Sequence, residues 1–135
     1  MKLPDDIPVY GDTSYRGKCP NETPEQVTFF ARLRKRFPDT LGALAVHPRN
    51  EGRRTLLQAA KERSEGMTTG ATDIVIPGSP AFVCELKRRD HTQSTLGAEQ
   101  LKYLRAAKEA GCFTCIALGC DAAWEALLEW SGNVD

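Results

Sequence analysis

The residues best suited to chemistry are two acids and an amine in the middle of the chain: Asp73, followed twelve residues later by Glu85 and then by Lys87. Side chains alternate between the faces of a strand, so Glu85 and Lys87 are expected on one face and Leu86 on the other. Asp73 is expected to start the partner strand of a hairpin, beside Glu85. Adjacent carboxylates repel each other unless a cation lies between them. Oxygen ligands of this kind favour Mg²⁺ or Mn²⁺.

This set of groups matches the needs of phosphodiester hydrolysis. A divalent ion polarises the phosphoryl oxygens and lowers the pKa of bound water, and Lys87 can orient that water and stabilise negative charge. The alternative interpretation is that Asp73 is a turn residue and that Glu85 and Lys87 form an exposed ion pair. The preceding residues 81–84 are all apolar. Charges at the end of a buried strand cost stability unless something binds there, which favours the catalytic interpretation.

The elements around these residues are indicated by turns and caps. Residues 73–76 and 81–87 are predicted to form a hairpin around a turn of proline and glycine. A helix over residues 98–110 begins after Gly97 and ends at Gly111. Gln100 lies in its first turn, from which a side chain can reach back over a sheet edge. Gly66 and Gly70 permit a tight backbone path before Asp73.

The remaining pattern completes an α/β domain. Thr23 is predicted to cap a first helix, with Pro24 at its first position and Gln26 closing a capping box. A short strand is expected over residues 41–46, a second helix over 55–63, a strand over 112–118 and a last helix from about residue 121. The predicted order is αβαββαβα, a mixed central sheet flanked by helices. Residues 1–20 are predicted to be an irregular arm before a domain of residues 21–135.

Composition narrows the functional class less than the motifs do. Eighteen basic and eighteen acidic residues cancel, and 41% of the chain is hydrophobic, as in ordinary soluble domains. The bulk basic character of many nucleic-acid binders is absent, although basic clusters over residues 32–36, 49–54 and 87–89 can neutralise phosphates locally. Neither a secretory signal nor an apolar run of about 20 residues is present, so a cytoplasmic location is expected.

The five cysteines raise the question of a zinc site. Cys112 and Cys115 have the spacing of half a site, and Cys120 offers a third ligand. The segment over residues 112–118 is typical of a buried strand, however, and no fourth ligand lies nearby. No structural zinc is therefore expected.

In their order along the chain, the motifs resemble the virus-type replication-repair nuclease (VRR-NUC) domain, a branch of the PD-(D/E)XK nucleases. The resemblance covers roughly residues 21–130, and one departure is Thr72, where the family usually has proline. The motifs that carry it are Glu22-x-x-x-Gln26, Asn50-Glu51-Gly52-x-Arg54, Gly66-x-x-x-Gly70-x-x-Asp73, Glu85-x-Lys87, Gln100-x-x-Tyr103-Leu104 and Ala110-Gly111.

The resemblance implies a PD-(D/E)XK restriction-endonuclease-like fold and a DNA endonuclease that depends on Mg²⁺ or Mn²⁺. Asp73, Glu85 and the backbone carbonyl of Leu86 would bind the metal, Lys87 would be the catalytic lysine, and Gln100 a supporting polar group.

The family also uses a glutamate of the first helix. Glu22 is chosen because it shares a helical face with Gln26, four residues later. Glu25 is the rival, since a cap at Thr23 would leave Glu22 just outside the helix.

The resemblance also implies a substrate and an assembly. Stand-alone members look like phage or prophage proteins of replication, repair or recombination that cut branched DNA such as four-way junctions as homodimers, here in the cytoplasm of a bacterial host. Two symmetric cuts need two sites related by a two-fold axis. No membrane partner is expected. Alternatives are a non-catalytic DNA-binding or assembly module on a nuclease scaffold, and an enzyme acting on RNA or nucleotides. The residues assigned to DNA contact are Arg49, Asn50, Arg53, Arg54 and Arg88.

Overall fold

A four-stranded mixed sheet lies at the centre of the computed structural model, which describes residues 1–48 and 55–134. The strand order is β1-β4-β3-β2. Strand β2 is antiparallel to β3, whereas β3 pairs in parallel with β4, and β4 with β1. The strands are β1 (Val9–Tyr10), β2 (Ile74–Ile76), β3 (Phe82–Lys87) and β4 (Phe113–Leu118).

Helices cover both faces of this sheet. A short 3₁₀ turn, His91–Gln93, lies in the connection between β3 and the fourth helix. None of the helices in the described residues has the length and low polarity that a membrane span requires. The helices are α1 (Glu22–Arg36), α2 (Leu41–Leu44), α3 (Leu56–Ser64), α4 (Ala98–Glu109) and α5 (Cys120–Ser131).

The sheet separates two clusters of buried side chains. The larger cluster joins α1 and α5 to one face of the sheet, where Phe29 packs with Leu86 and Trp124. The smaller cluster lies on the other face, where Leu104 of α4 packs with Ile116. Every residue of β3 is buried because both of its faces are covered.

The predicted hairpin is confirmed, and its register matters for the site. Ile74 pairs with Cys84, and Val75 with Val83. Continuing this register by one residue brings Asp73 beside Glu85. In the parallel pairing with β4, Glu85 lies next to Ile116 and therefore on the face that α4 covers.

The predicted strand over residues 41–46 is wrong. Residues 41–44 form the short helix α2, and only Val46 has strand-like pairing, through two hydrogen bonds of 2.9 Å with the backbone of Val75. A short apolar run does not distinguish a buried helix from a strand. Here the segment forms a helix that packs closely on the end of α1. The packing is so close that a Cβ on Gly42 would lie 2.6 Å from the carbonyl oxygen of Phe37. The predicted order of elements fails at this position.

Helix α1 also begins earlier than Thr23. Its first residue is Glu22 and its N-cap is Asn21, whose side chain makes no capping hydrogen bond within the helix. Asn21 instead accepts a hydrogen bond from Arg88. The capping box predicted from Thr23 and Gln26 is therefore replaced by a tertiary contact.

The first twenty residues pack along the domain. Val9 and Tyr10 form β1 at the edge of the sheet, and Ile7 is buried in the smaller cluster. Asp6 forms a two-pronged ion pair with Arg105 of α4 at 2.8 and 3.2 Å. The division of the chain after residue 20 stays a prediction.

Candidate active site

Two carboxylates meet at the end of the β2–β3 hairpin. Oδ2 of Asp73 accepts a hydrogen bond of 2.8 Å from the backbone N–H of Leu86. This bond fixes Asp73 against β3, one residue from Glu85. Glu85 is 2% exposed, and its Oε2 has no hydrogen-bond partner among the described residues. A buried oxygen without a partner is costly, so this position has an unused capacity to bind a proton or a cation.

The surroundings of Glu85 strongly favour its neutral form. Burial is the largest cause that raises its pKa well above the ordinary value, followed by the negative charge of Asp73 and the close approach of the two carboxyl groups. Lys87 lowers that pKa, and Glu22 raises it further. Two carboxyl groups this close cannot both ionise at low cost unless a positive charge joins them. The donor set, formed by oxygen atoms alone, fits a hard divalent cation.

The Lys87 amine is held beside this pair. The residue is 4% exposed, and Nζ donates to the backbone carbonyl of Thr95 at 2.6 Å and to Oε1 of Gln100 at 3.2 Å. Nζ also lies 3.8 Å from Glu85 Oε1 and 3.9 Å from Glu22 Oε1. Two hydrogen bonds therefore hold the amine in a fixed position beside the carboxylates.

Gln100 connects Lys87 to the start of α4. Its Oε1 accepts a second hydrogen bond, of 2.8 Å, from the backbone N–H of Gly97. The same oxygen thus caps the start of α4 and holds the lysine in place. Gly70 packs directly on this turn with φ +81°, and a Cβ there would lie 2.4 Å from the carbonyl oxygen of Glu99. A side chain at Gly70 would push apart the loop before Asp73 and the first turn of α4.

The structure separates the two candidate glutamates of α1. Oε1 of Glu22 accepts a hydrogen bond of 3.0 Å from Ser94 Oγ and faces Lys87. Glu25 is buried and accepts a hydrogen bond from the backbone N–H of Cys120, at the first turn of α5. Glu22 therefore belongs to the same cluster as Glu85, whereas Glu25 stabilises the start of another helix.

The other predicted positions are distributed as follows. Leu86 lies in β3 between Glu85 and Lys87, with its side chain in the larger core cluster. Arg88 follows directly and is half-buried, with its guanidinium bound to Pro20 and Asn21. Within the described ranges, no three His, Cys, Asp or Glu side chains already form a complete set of metal ligands. The structure brings the pair Asp73 and Glu85 together, with Glu22 next to Lys87. Four of the predicted DNA contacts lie outside the described residues: Arg49, Asn50, Arg53 and Arg54.

Two contributors to this cluster have no signal in the sequence. Ser94 and Thr95 lie in a polar stretch that predicts only a loop. The loop returns over the end of β3, so that a side-chain hydroxyl and a backbone carbonyl reach Glu22 and Lys87. A carbonyl contact in particular is independent of residue type, so sequence alone does not indicate it.

Comparison with known proteins gives one informative likeness. No family model matches the sequence, and no curated protein matches it. Among solved structures, the chain is similar to one described as a VRR_NUC domain protein, with a TM-score of 0.66 and 17% sequence identity. The alignment covers 90% of this chain and 94% of the other. The resemblance indicated by the motifs is confirmed at the level of structure: this chain has the fold of a VRR_NUC domain protein.

Proposed function

We propose that this chain is a metal-dependent DNA endonuclease of the VRR-NUC type, within the PD-(D/E)XK superfamily, that hydrolyses phosphodiester bonds. The observation that carries the proposal is the convergence of Asp73, Glu85 and Lys87 at the end of one hairpin, where Glu85 Oε2 has no partner among the described residues. The fold shared with a VRR_NUC domain protein supports the same reaction class.

Asp73 and Glu85 would hold Mg²⁺ or Mn²⁺, with the backbone carbonyl of Leu86 and the carboxylate of Glu22 as further ligands. The unsatisfied Glu85 oxygen and the mutual repulsion of the two carboxyl groups support this assignment. When bound, such an ion polarises phosphoryl oxygens and lowers the pKa of coordinated water. Oxygen ligands favour these two ions over zinc.

Lys87 would act on the reacting groups themselves. Its amine is fixed by Thr95 and Gln100, so it can orient an attacking water and stabilise charge on the phosphoryl oxygens without further reorganisation. Gln100 would keep this direction, because its Oε1 is itself held by Gly97. Burial of the amine strengthens its electrostatic effect.

The substrate would be branched DNA such as a four-way junction, cut by a homodimer in phage or prophage replication, repair or recombination. This part of the proposal follows from the resemblance of the motifs. Symmetric cuts on two strands require two active sites related by a two-fold axis. Arg88 lies at the edge of the site, and Arg49, Asn50, Arg53 and Arg54 are the further residues proposed to contact DNA.

The test is cleavage of a panel of four-way junction, flap, nicked and linear duplexes in Mg²⁺, in Mn²⁺ and in chelator. We expect cleavage only with metal and strongest on branched DNA. Asp73→Ala, Glu85→Ala and Lys87→Ala should each abolish it while circular dichroism shows an intact fold. Full activity in any of the three would refute the site.

Two other outcomes would redirect the assignment. Binding of branched DNA without cleavage under either metal would favour a non-catalytic DNA-binding or assembly module. Cleavage restricted to RNA would favour a different phosphoester substrate.

A further inference from the structure

The loop between β3 and α4 binds the start of α1 at three consecutive residues. The Arg88 guanidinium donates to the carbonyl of Pro20 at 3.4 Å and to Oδ1 of Asn21. Ser94 Oγ donates to Oε1 of Glu22 at 3.0 Å. The backbone N–H of Arg88 in turn donates to Ser94 Oγ, also at 3.0 Å. Arg88 and Ser94 therefore form one clamp around the first turn of α1.

The geometry gives the Ser94 hydroxyl a single direction. A serine hydroxyl has one proton to donate. Its oxygen already accepts from Arg88, so the proton is directed to the Glu22 carboxylate. Ser94 is buried, with 7% of its surface exposed, whereas 43% of the Glu22 side chain is exposed, so the bond anchors a partly exposed carboxylate to a buried donor. A hydrogen bond to a charged carboxylate is among the stronger ones that a hydroxyl makes.

Glu22 needs such a constraint. It is the first residue of α1, and the N-cap Asn21 makes no capping hydrogen bond within that helix. A glutamate side chain at an uncapped helix end has several rotamers, and holding it in one of them costs conformational entropy. The clamp holds Glu22 Oε1 at 3.9 Å from Lys87 Nζ, the amine that also lies 3.8 Å from Glu85 Oε1.

We infer that Arg88 and Ser94 are positioning residues that keep Glu22 at the metal site. This inference rests on the proposed function, because Glu22 acts there as a metal ligand. The two residues do not touch the metal; they act through the carboxylate that they orient. Arg88 uses only part of its five donors in the clamp and can still contact a phosphate.

The experiment is calorimetric titration of the full chain with Mn²⁺ alone, which needs no DNA and no cleavage. Ser94→Ala should weaken Mn²⁺ binding about tenfold, the lower end of the effect of removing a hydrogen bond behind a metal ligand. Arg88→Met removes the other half of the clamp and should weaken binding in the same direction. If either variant fails to fold by circular dichroism, the other carries the test.

Matched controls separate the clamp from general effects of the substitutions. Thr28→Ala removes a hydroxyl from the exposed side of the same helix, where it donates to the backbone carbonyl of Pro24. Arg105→Met removes an arginine that binds Asp6, away from the site. Both should bind Mn²⁺ as the parent chain does.

The decisive measurement is repeated in a Glu22→Ala background. There Ser94→Ala and Arg88→Met should have no further effect on Mn²⁺ affinity, because the group that they orient is gone. An equal loss in that background, or an unchanged affinity for Ser94→Ala in the parent chain, would overturn the inference. A parent chain that binds no Mn²⁺ and cleaves no DNA would instead refute the proposed function from which the inference starts.

Discussion

The two faces of β3 carry opposite chemistry. On the side of α1 and α5, Cys84 and Leu86 enter a large apolar cluster. On the side of α4, Glu85 and Lys87 are equally buried but meet carboxylates, amides and backbone carbonyls. Adjacent residues of this strand therefore belong in turn to the apolar core and to the candidate active site. The polar face holds an unsatisfied oxygen, which a purely structural role would not require.

The largest expected effect lies on the polar face. Lys87→Met should reduce the rate of DNA cleavage by about 10²–10⁴-fold, the range for loss of a positioned proton-transfer group. Single-turnover cleavage measures this rate. The unfolding transition should remain cooperative, because the methionine stem fills the same space. A rate within threefold of the parent would assign Lys87 to structure, like Leu86.

Leu86→Ala tests the apolar face. The side chain is 1% exposed, so its truncation should lower the free energy of unfolding by about 2–5 kcal/mol. Urea denaturation gives this value. Cleavage per folded molecule should be retained, since the backbone N–H of Leu86, which donates to Asp73, is unchanged. Val27→Ala is the control, because Val27 is 63% exposed and should change stability by less than about 0.5 kcal/mol.

The free energy of unfolding of the metal-free protein should depend on pH through Glu85, on the polar face of β3. The pKa of Glu85 is raised in the folded state. Between the ordinary pKa of glutamate and this raised value, the folded protein holds a proton on Glu85 that the unfolded protein has released. The contribution of Glu85 to the free energy of unfolding is therefore fully present below the ordinary pKa of glutamate, and it is lost as pH rises towards the raised value. The slope should reach up to about 1.4 kcal/mol per pH unit.

Thermal unfolding in chelator at a series of pH values measures this slope. Glu85→Gln should flatten it, because glutamine does not titrate. Added Mn²⁺ should oppose the loss in the parent chain and not in the variant. A slope that is the same in both proteins would mean that Glu85 is not the titrating group.

The smallest expected effect concerns a buried carboxylate that is already paired. Glu25 lies on the α1–α5 side and accepts the N–H of Cys120. Glu25→Gln removes the charge from the start of α5 and should lower stability by about 1 kcal/mol. Mn²⁺ affinity should not change, in contrast to Glu22→Gln. A loss of affinity in the Glu25 variant would make it the metal ligand instead.

The hairpin and the elements that follow it were accessible from the sequence because their signals are local. Alternation along β3 predicts the shared face of Glu85 and Lys87, and Gly97 and Gly111 delimit α4 to within about a residue. The register of the hairpin then brings Asp73 to Glu85. These features depend on residues close together in the chain, where periodicity and turn chemistry decide structure.

The tertiary structure alone decided the role of the first helix and of the loop after β3. Glu22 meets Ser94 across 72 residues of sequence, and Asn21 meets Arg88 across 67. The N-cap of the helix therefore lies two residues before the predicted one, and Glu22 faces Lys87 whereas Glu25 binds the start of α5. Similarly, residues 41–44 become helical because they pack on α1. Local patterns do not encode such contacts, since a buried hydrogen bond between distant segments forms only after the chain has closed around its core.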